Sequence, residues 1–234
     1  MAIPASISRE MTRPLSLGVL LSGSGTNLQA LIDAIAAREL DARIAVVVSN
    51  DAAAHGLVRA RDHGIAAEVV PHAAFATRAA FDAAVVEVLR AHGVELVVLA
   101  GFMRLVTPVL LEAFPMRVLN IHPALLPAFP GLHAERQALA HGARVTGVTV
   151  HFVDEHTDHG PIILQVAVPI LPGDDEARLH QRIQRQEHRA YARAIQLVAE
   201  GRVRVEGRHV VIADEIADPD AALASPAFTQ RTSG

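Results

Sequence analysis

The sequence predicts an α/β domain, a mostly parallel mixed sheet with helices on both of its faces. Three observations lead there. Short apolar segments of strand length recur between longer segments with helical spacing, as in Leu28, Leu31, Ile32 and Ile35. The large apolar side chains are mainly Val, Leu and Ile, and aromatics make up only 3%, a mixture that suits strands covered on both faces. The 234 residues are 51% hydrophobic, ample for one core within the size range of a single domain.

Leu17 to Leu21 reads as a buried strand running into Ser22-Gly23-Ser24-Gly25-Thr26-Asn27, after which the first helix begins. Ile44 to Val48 is the second strand, ending in Ser49-Asn50-Asp51. A helix from Ala54 to His63 stops at Gly64, a residue suited to helix termination. Ile65 to Val70 gives a third strand, the helix Thr77 to His92 ends at Gly93, and Glu95 to Ala100 is an uninterrupted strand closed by Gly101. Thr107-Pro108 reads as an N-cap followed by proline at the first helical position. Strictly alternating strands and helices imply right-handed crossovers and a parallel sheet.

The second half changes character. The strand Arg117 to Ile121 ends in His122-Pro123, before a stretch holding Pro127, Pro130 and Gly131, and His133 to Ala140 is a short helix. Val145 to Val153 alternates, with Val148, Val150 and Phe152 on one face, and Ile162 to Ile170 is a further strand beyond the polar loop Asp154 to Gly160. The long helix Asp174 to Glu200 turns Leu179, Ile183, Tyr191, Ile195 and Val198 inward, and Val203 to Ile212 forms a hairpin around Glu206-Gly207. The result is a single Rossmann-like domain over residues 15–212. A flexible extension, 1–14, precedes it, and a loosely held tail, 213–234, follows.

Composition excludes several chemistries. The chain has no cysteine, so a disulfide scaffold, a thiolate nucleophile and a cysteine zinc site are ruled out. All 21 basic residues are arginine, which removes lysine Schiff-base chemistry and the P-loop lysine. The net charge of −4 comes without a basic run or interleaved aromatics, so nucleic acid is not an expected partner. No apolar run reaches bilayer length and the first residues lack a signal-peptide core, so the expectation is a cytoplasmic enzyme of small molecules.

Ligands of open α/β sheets sit beyond the carboxyl ends of the strands. Ser22 to Asn27, Gly101 to Val106 and Asn120 to Pro123 all follow strand ends and should converge there. In Gly23-Ser24-Gly25-Thr26-Asn27 the glycines let backbone N–H groups turn toward one point at a helix N-terminus, a cradle for phosphate or carboxylate. The bland alternative is a tight turn capped by Ser24 or Thr26. Asn120 and His122, two apart on a strand, project to the same side, a neutral donor beside a proton carrier; a polar strand end would look the same. Asp158 lies in a loop able to face His122, where a carboxylate would favour the imidazolium, although polar loops also carry acids for solubility. His151 and the loop histidines invite a metal, but without cysteine or a helical H-E-x-x-H pattern zinc is disfavoured.

The segments GSGTNLQALIDAI, VVLAGFMRLV, LNIHPALLPAFPGLHAERQAL, VTVHFVDEHTDHGPIILQ and QEHRAY strongly resemble the phosphoribosylglycinamide formyltransferase family, over about residues 15–205. The resemblance implies transfer of formyl from 10-formyltetrahydrofolate to the amine of 5-phosphoribosylglycinamide in purine synthesis. It implies no metal and a monomer or weak homodimer. By position, Asn120, His122 and Asp158 match the catalytic residues, with Asn120 also at the folate. Gly25, Thr26, Asn27 and Glu187 match the ribonucleotide site. Arg78, Met103, Arg104, Leu105 and Val106 match the folate contacts, the apolar members being suited to wall a pterin. The chain departs from the family at Ala124, Ala128 and His159. The nearest alternative is a formyltetrahydrofolate hydrolase, which generally carries an N-terminal regulatory domain and lacks G-S-G-T-N. An initiator-tRNA formyltransferase would need a further domain and basic surface. A noncatalytic binding module would leave Asn120 and His122 without a purpose.

Overall fold

The computed structural model describes residues 13–215 together with Leu223 and Ser225. The expected extension 1–14 and tail 213–234 therefore fall largely outside the described residues. The elements follow the anticipated order: β1 (Leu15–Leu21), α1 (Thr26–Ala36), β2 (Ala42–Ser49), α2 (His55–Asp62), β3 (Ala67–Val69), α3 (Arg78–Ala91), β4 (Leu96–Leu99), α4 (Pro108–Ala113), β5 (Val118–His122), α5 (Ala134–His141), β6 (Val145–Phe152), β7 (Ile162–Pro169), α6 (Glu176–Ala199), β8 (Val203–Glu206) and β9 (His209–Ile212). A short 3-10 turn at His72–Ala74 sits between β3 and α3. Among the described residues no helix is long and apolar enough to cross a membrane.

Seven strands form one sheet in the order β3-β2-β1-β4-β5-β6-β7. The pairings from β3 to β5 are parallel, whereas β5–β6 and β6–β7 are antiparallel. The mixed sheet is thus as expected, and β8–β9 stands apart as its own two-stranded ribbon. Every residue of β1 is buried, as a central strand covered on both faces requires. Leu17, Val19 and Leu21 pack with α1, α2 and α6, while Leu20 faces α3 and α4 through Phe81, Val85, Leu89, Leu110 and Phe114. Gly18 is demanded by this layering: a Cβ there would lie 2.5 Å from Leu89 and 2.9 Å from Val94.

Strand order fixes where a crevice opens. The chain winds outward from β1 to β3, then returns to place β4 on the other side of β1. The chain therefore leaves β1 and β4 in opposite directions at the carboxyl edge, the usual ligand-binding place of such sheets. Beneath it Tyr191 of α6 sets its hydroxyl between carbonyls of two neighbouring strands, 3.0 Å from Leu99 O at the end of β4 and 3.1 Å from Leu119 O within β5. A phenol buried this deeply needs a partner, and Tyr191 is 1% exposed.

Tyr191→Phe removes that shared donor and keeps the ring. The expected loss is about 1–3 kcal/mol of unfolding free energy, the cost of leaving a buried polar group unmatched. Urea denaturation read by far-ultraviolet circular dichroism measures it, and an unchanged midpoint would show that the hydroxyl contributes nothing to the fold.

Candidate active site

The loop after β1 holds its shape through two glycines. Gly25 caps α1 at φ 71°, a left-handed backbone, with no side-chain cap bond. The expected alternative of a Ser24 or Thr26 cap is therefore not what closes the turn. A Cβ on Gly25 would lie 2.6 Å from the Cα of Gly56, and a Cβ on Gly56 would lie 2.4 Å from Leu21. The loop and the start of α2 are thus pressed backbone to backbone, joined by Gly56 N–H donating to Gly23 O at 3.0 Å. Arg59 of α2 donates from Nε to Ser24 O at 2.9 Å. No acid lies in the first turn of α1, so its free N–H groups face the crevice with a positive field.

The loop after β4 is tied to the same place. Ser22 N–H donates to Gly101 O at 3.0 Å. The Ser22 hydroxyl donates to Asn50 Oδ1 at 2.6 Å and accepts the Met103 N–H at 2.9 Å. Of the residues expected at a folate, Met103 and Leu105 are 66% and 53% exposed, apolar side chains presented to solvent at the strand end. Arg104 lies over the Phe81 ring, 5.2 Å from its centroid. Val106 is partly buried, resting against the core on the α3 face with part of its side chain left open. Arg78 is exposed at the start of α3, one turn before Phe81 and Asp82. Thr107 does occupy the N-cap of α4, but its hydroxyl makes no cap bond. Its N–H instead donates to Asp82 Oδ2 at 2.6 Å, which anchors this loop to α3.

Asn120, His122 and Asp158 converge. His122 Nδ1 lies 3.4 Å from Asp158 Oδ2, and the imidazole is only 5% exposed. Asn120 Nδ2 donates to Asp158 Oδ1 at 3.4 Å. The backbone N–H of Gly131 donates to Asp158 Oδ2 at 2.7 Å. His122 Nε2 donates to Phe129 O at 2.8 Å. With Nε2–H committed to that carbonyl, Nδ1 is the nitrogen left to exchange a proton or hydrogen-bond a ligand.

Two further groups join the cluster. His151 of β6 sits in register opposite Asn120, with Nε2 3.3 Å from Asn120 Nδ2. Its Nδ1 faces Phe152 O at 2.8 Å. Burial lowers its pKa, so the neutral ring, donating from Nδ1, offers Nε2 as an acceptor to the amide. The strand pairing that brings it there was not readable along one chain. The stretch after His122 is fixed by Thr149, whose hydroxyl donates to Ala124 O at 2.7 Å and accepts the Leu126 N–H at 3.0 Å. Ala124 is fully buried.

Glu187 of α6 is 7% exposed. Burial pushes its carboxyl up to about 7; Glu135 adds to the rise, while the His180 charge and the Asn27 amide pull it back. Asn27 and Glu187, far apart in sequence, are therefore neighbours, and Asn27 Oδ1 is buried without a partner among the described residues. Gln184, three residues before Glu187, donates from Nε2 to Thr26 Oγ1 at 3.3 Å. One turn of α6 thus faces the β1 loop.

Comparison with known proteins gives this geometry a lineage. Residues 16–195 match the family model described as formyl transferase. The chain is 44% identical over 191 residues to phosphoribosylglycinamide formyltransferase of Escherichia coli, covering 82% of this chain and 90% of that protein. It is 47% identical over 203 residues to the trifunctional purine biosynthetic protein adenosine-3 of Drosophila pseudoobscura pseudoobscura, of which it spans 15%. The crystal structure of glycinamide ribonucleotide transformylase 1 from Symbiobacterium toebii superposes with a TM-score of 0.85 at 57% identity, covering 86% of this chain and 95% of that one. A formyltetrahydrofolate deformylase from Pseudomonas syringae pv. tomato is more distant at 28% identity, with a TM-score of 0.81 over 87% of this chain and 67% of that one. The chain belongs to the formyl transferase family, on the side of its phosphoribosylglycinamide formyltransferases.

Proposed function

We propose that this chain transfers formyl from 10-formyltetrahydrofolate to the amine of 5-phosphoribosylglycinamide, giving the formylated ribonucleotide and tetrahydrofolate. The observation that carries the reading is Asp158, Asn120 and His122 gathered on one sheet edge that also presents an anion-ready helix N-terminus. The phosphate is held by the backbone N–H groups of Gly25, Thr26 and Asn27 and by the field of α1. Glu187 and the unpartnered Asn27 Oδ1 are acceptors for ribose hydroxyls. Met103, Leu105 and Val106 face the pterin, with Arg78 and Arg104 flanking the acidic end of the folate.

Holding both substrates here turns an encounter into an oriented attack. The neutral amine adds to the formyl carbon and negative charge grows on the formyl oxygen. Asn120 Nδ2 and the Nδ1 edge of His122 face that oxygen, and the amide N–H stabilises it, their present contacts being long enough to yield to a ligand. Asp158 beside Nδ1 and the Phe129 carbonyl at Nε2 fix the ring orientation. The carbon–nitrogen bond to folate then breaks as the proton lost by the amine is delivered to the departing nitrogen through His122 or a water.

The direct test is formyl transfer with 5-phosphoribosylglycinamide as acceptor, against water alone. Release of formate without need of the amine would instead support the hydrolase reading. His122→Ala should keep both substrates bound while turnover falls about 10²–10⁴-fold; steady-state kinetics showing less than a tenfold loss would remove His122 from the chemistry. Asn27→Leu should weaken ribonucleotide binding far more than folate binding, measured by titration calorimetry. Equal weakening would make the loop a structural turn.

Glu187 generates a pH prediction. A carboxyl raised from 4.5 to about 7 in the folded state holds its proton where the unfolded chain has lost it. Its stabilising contribution is complete below pH 4.5 and is lost progressively up to about 7. At 1.36 kcal/mol per unit, the loss is about 3 kcal/mol. Glu187→Gln stays neutral throughout, so the wild type should lose stability relative to the variant as pH rises from 5 to 8. Parallel stability curves over that range would contradict it.

A further inference from the structure

The loop between β6 and β7 carries Asp158 at φ 51°, a left-handed backbone that a non-glycine residue holds only when its surroundings enforce it. The root of the loop is well fixed. Phe152 N–H donates to Pro161 O at 2.9 Å. Gly160 presses so closely on Phe152 that a Cβ would lie 1.9 Å from its carbonyl oxygen. Nearer the tip, Asp154 Oδ1 accepts the His156 N–H at 2.9 Å, and Asp154 Oδ2 meets His159 Nδ1 at 2.7 Å. These bonds tie the loop to itself and not to the body of the protein.

The outside tie comes from the turn of the β8–β9 hairpin. Arg208 Nη2 donates to the His159 carbonyl at 2.7 Å. Its Nη1 lies against the imidazole, 2.9 Å from Nε2 and 3.1 Å from Nδ1. Among the described residues, these are the hydrogen bonds that reach residues 155–159 from beyond the loop apart from those of Asp158 itself. Asp154, His156 and His159 also bring ligand atoms within 4.8 Å of one another, as a metal would require. The guanidinium already provides a positive charge against His159, so this cluster is met by the chain's own cation.

We propose that Arg208 is a positioning residue for Asp158. By gripping the next residue, His159, on both backbone and ring, it holds the loop tip in the turn that aims the Asp158 carboxylate at His122. The proposal rests on the reading of Asp158 as the partner of His122. The hairpin lies beyond the matched residues 16–195, so part of the site's geometry is set from outside the segment that the family model covers.

The test compares Arg208→Ala, Arg208→Lys and Asp158→Asn in the full chain. Arg208→Ala should lower kcat roughly 10- to 100-fold, the cost of a small misplacement, with KM for the ribonucleotide within about twofold. Backbone hydrogen exchange at 155–159 should speed up while β6 and β7 stay protected. Added to Asp158→Asn, Arg208→Ala should cost little more, because both act on one carboxylate. Arg208→Lys should recover part of the activity, since it keeps the charge and a single donor. Unchanged kcat and exchange in Arg208→Ala, with turnover lost in Asp158→Asn, would overturn the grip and leave the role of Asp158 standing. Full turnover in Asp158→Asn would bring down that role and the proposal with it. Should Arg208→Ala fail to fold, Arg208→Lys carries the same test: faster exchange at 155–159 supports the two-pronged grip, and wild-type exchange refutes it.

Discussion

A carboxylate that is only 10% exposed must find donors, and Asp158 finds them from three directions. Gly131 supplies a backbone N–H, Asn120 an amide and His122 a ring nitrogen. Each belongs to a different part of the chain: the proline-rich stretch, the middle of β5 and its end. Burying a charge is costly unless it is paired and hydrogen-bonded. The site is therefore assembled by one requirement, and removing any donor leaves the others facing an underpaired negative charge.

The sheet's change of direction makes that meeting possible. A parallel neighbour of β5 would send its following loop away after another crossover helix. The antiparallel β6 instead runs back past Asn120 and His122, places His151 opposite the amide, and passes into the loop that carries Asp158. The parallel half performs a different task, opening the crevice between β1 and β4 and aiming α1 at it. In the proposed function, substrate anchoring and chemistry are thus divided between the two halves of one sheet.

Much of this was legible along the chain. The strand–helix alternation, the glycine loop and the shared side of Asn120 and His122 follow from local periodicity, and local periodicity is what a single sequence records. Asp158 was identified by loop composition and by resemblance, because its distance to His122 depends on β5–β6 pairing and not on spacing. His151 was noticed only as a metal candidate, since its role depends on which residue stands across the ladder. The contribution of the Phe129 carbonyl could not be read at all, being a backbone atom that any residue could offer. Thr107 shows the converse: its position was right, but Asp82, distant in sequence, replaced the expected cap bond with one to the backbone.

Tyr191 has a practical consequence. It is the chain's single tyrosine, and there is no tryptophan, so tyrosine emission, excited beyond the phenylalanine band, comes from one ring lodged beneath the crevice. Its hydroxyl touches the end of β4 and the interior of β5, and Glu187 lies one helical turn away. The molecule therefore carries its own unlabelled optical probe at the floor of the site. Any event that parts those two strands, or changes the charge on Glu187, alters the light emitted by a single, unambiguous residue.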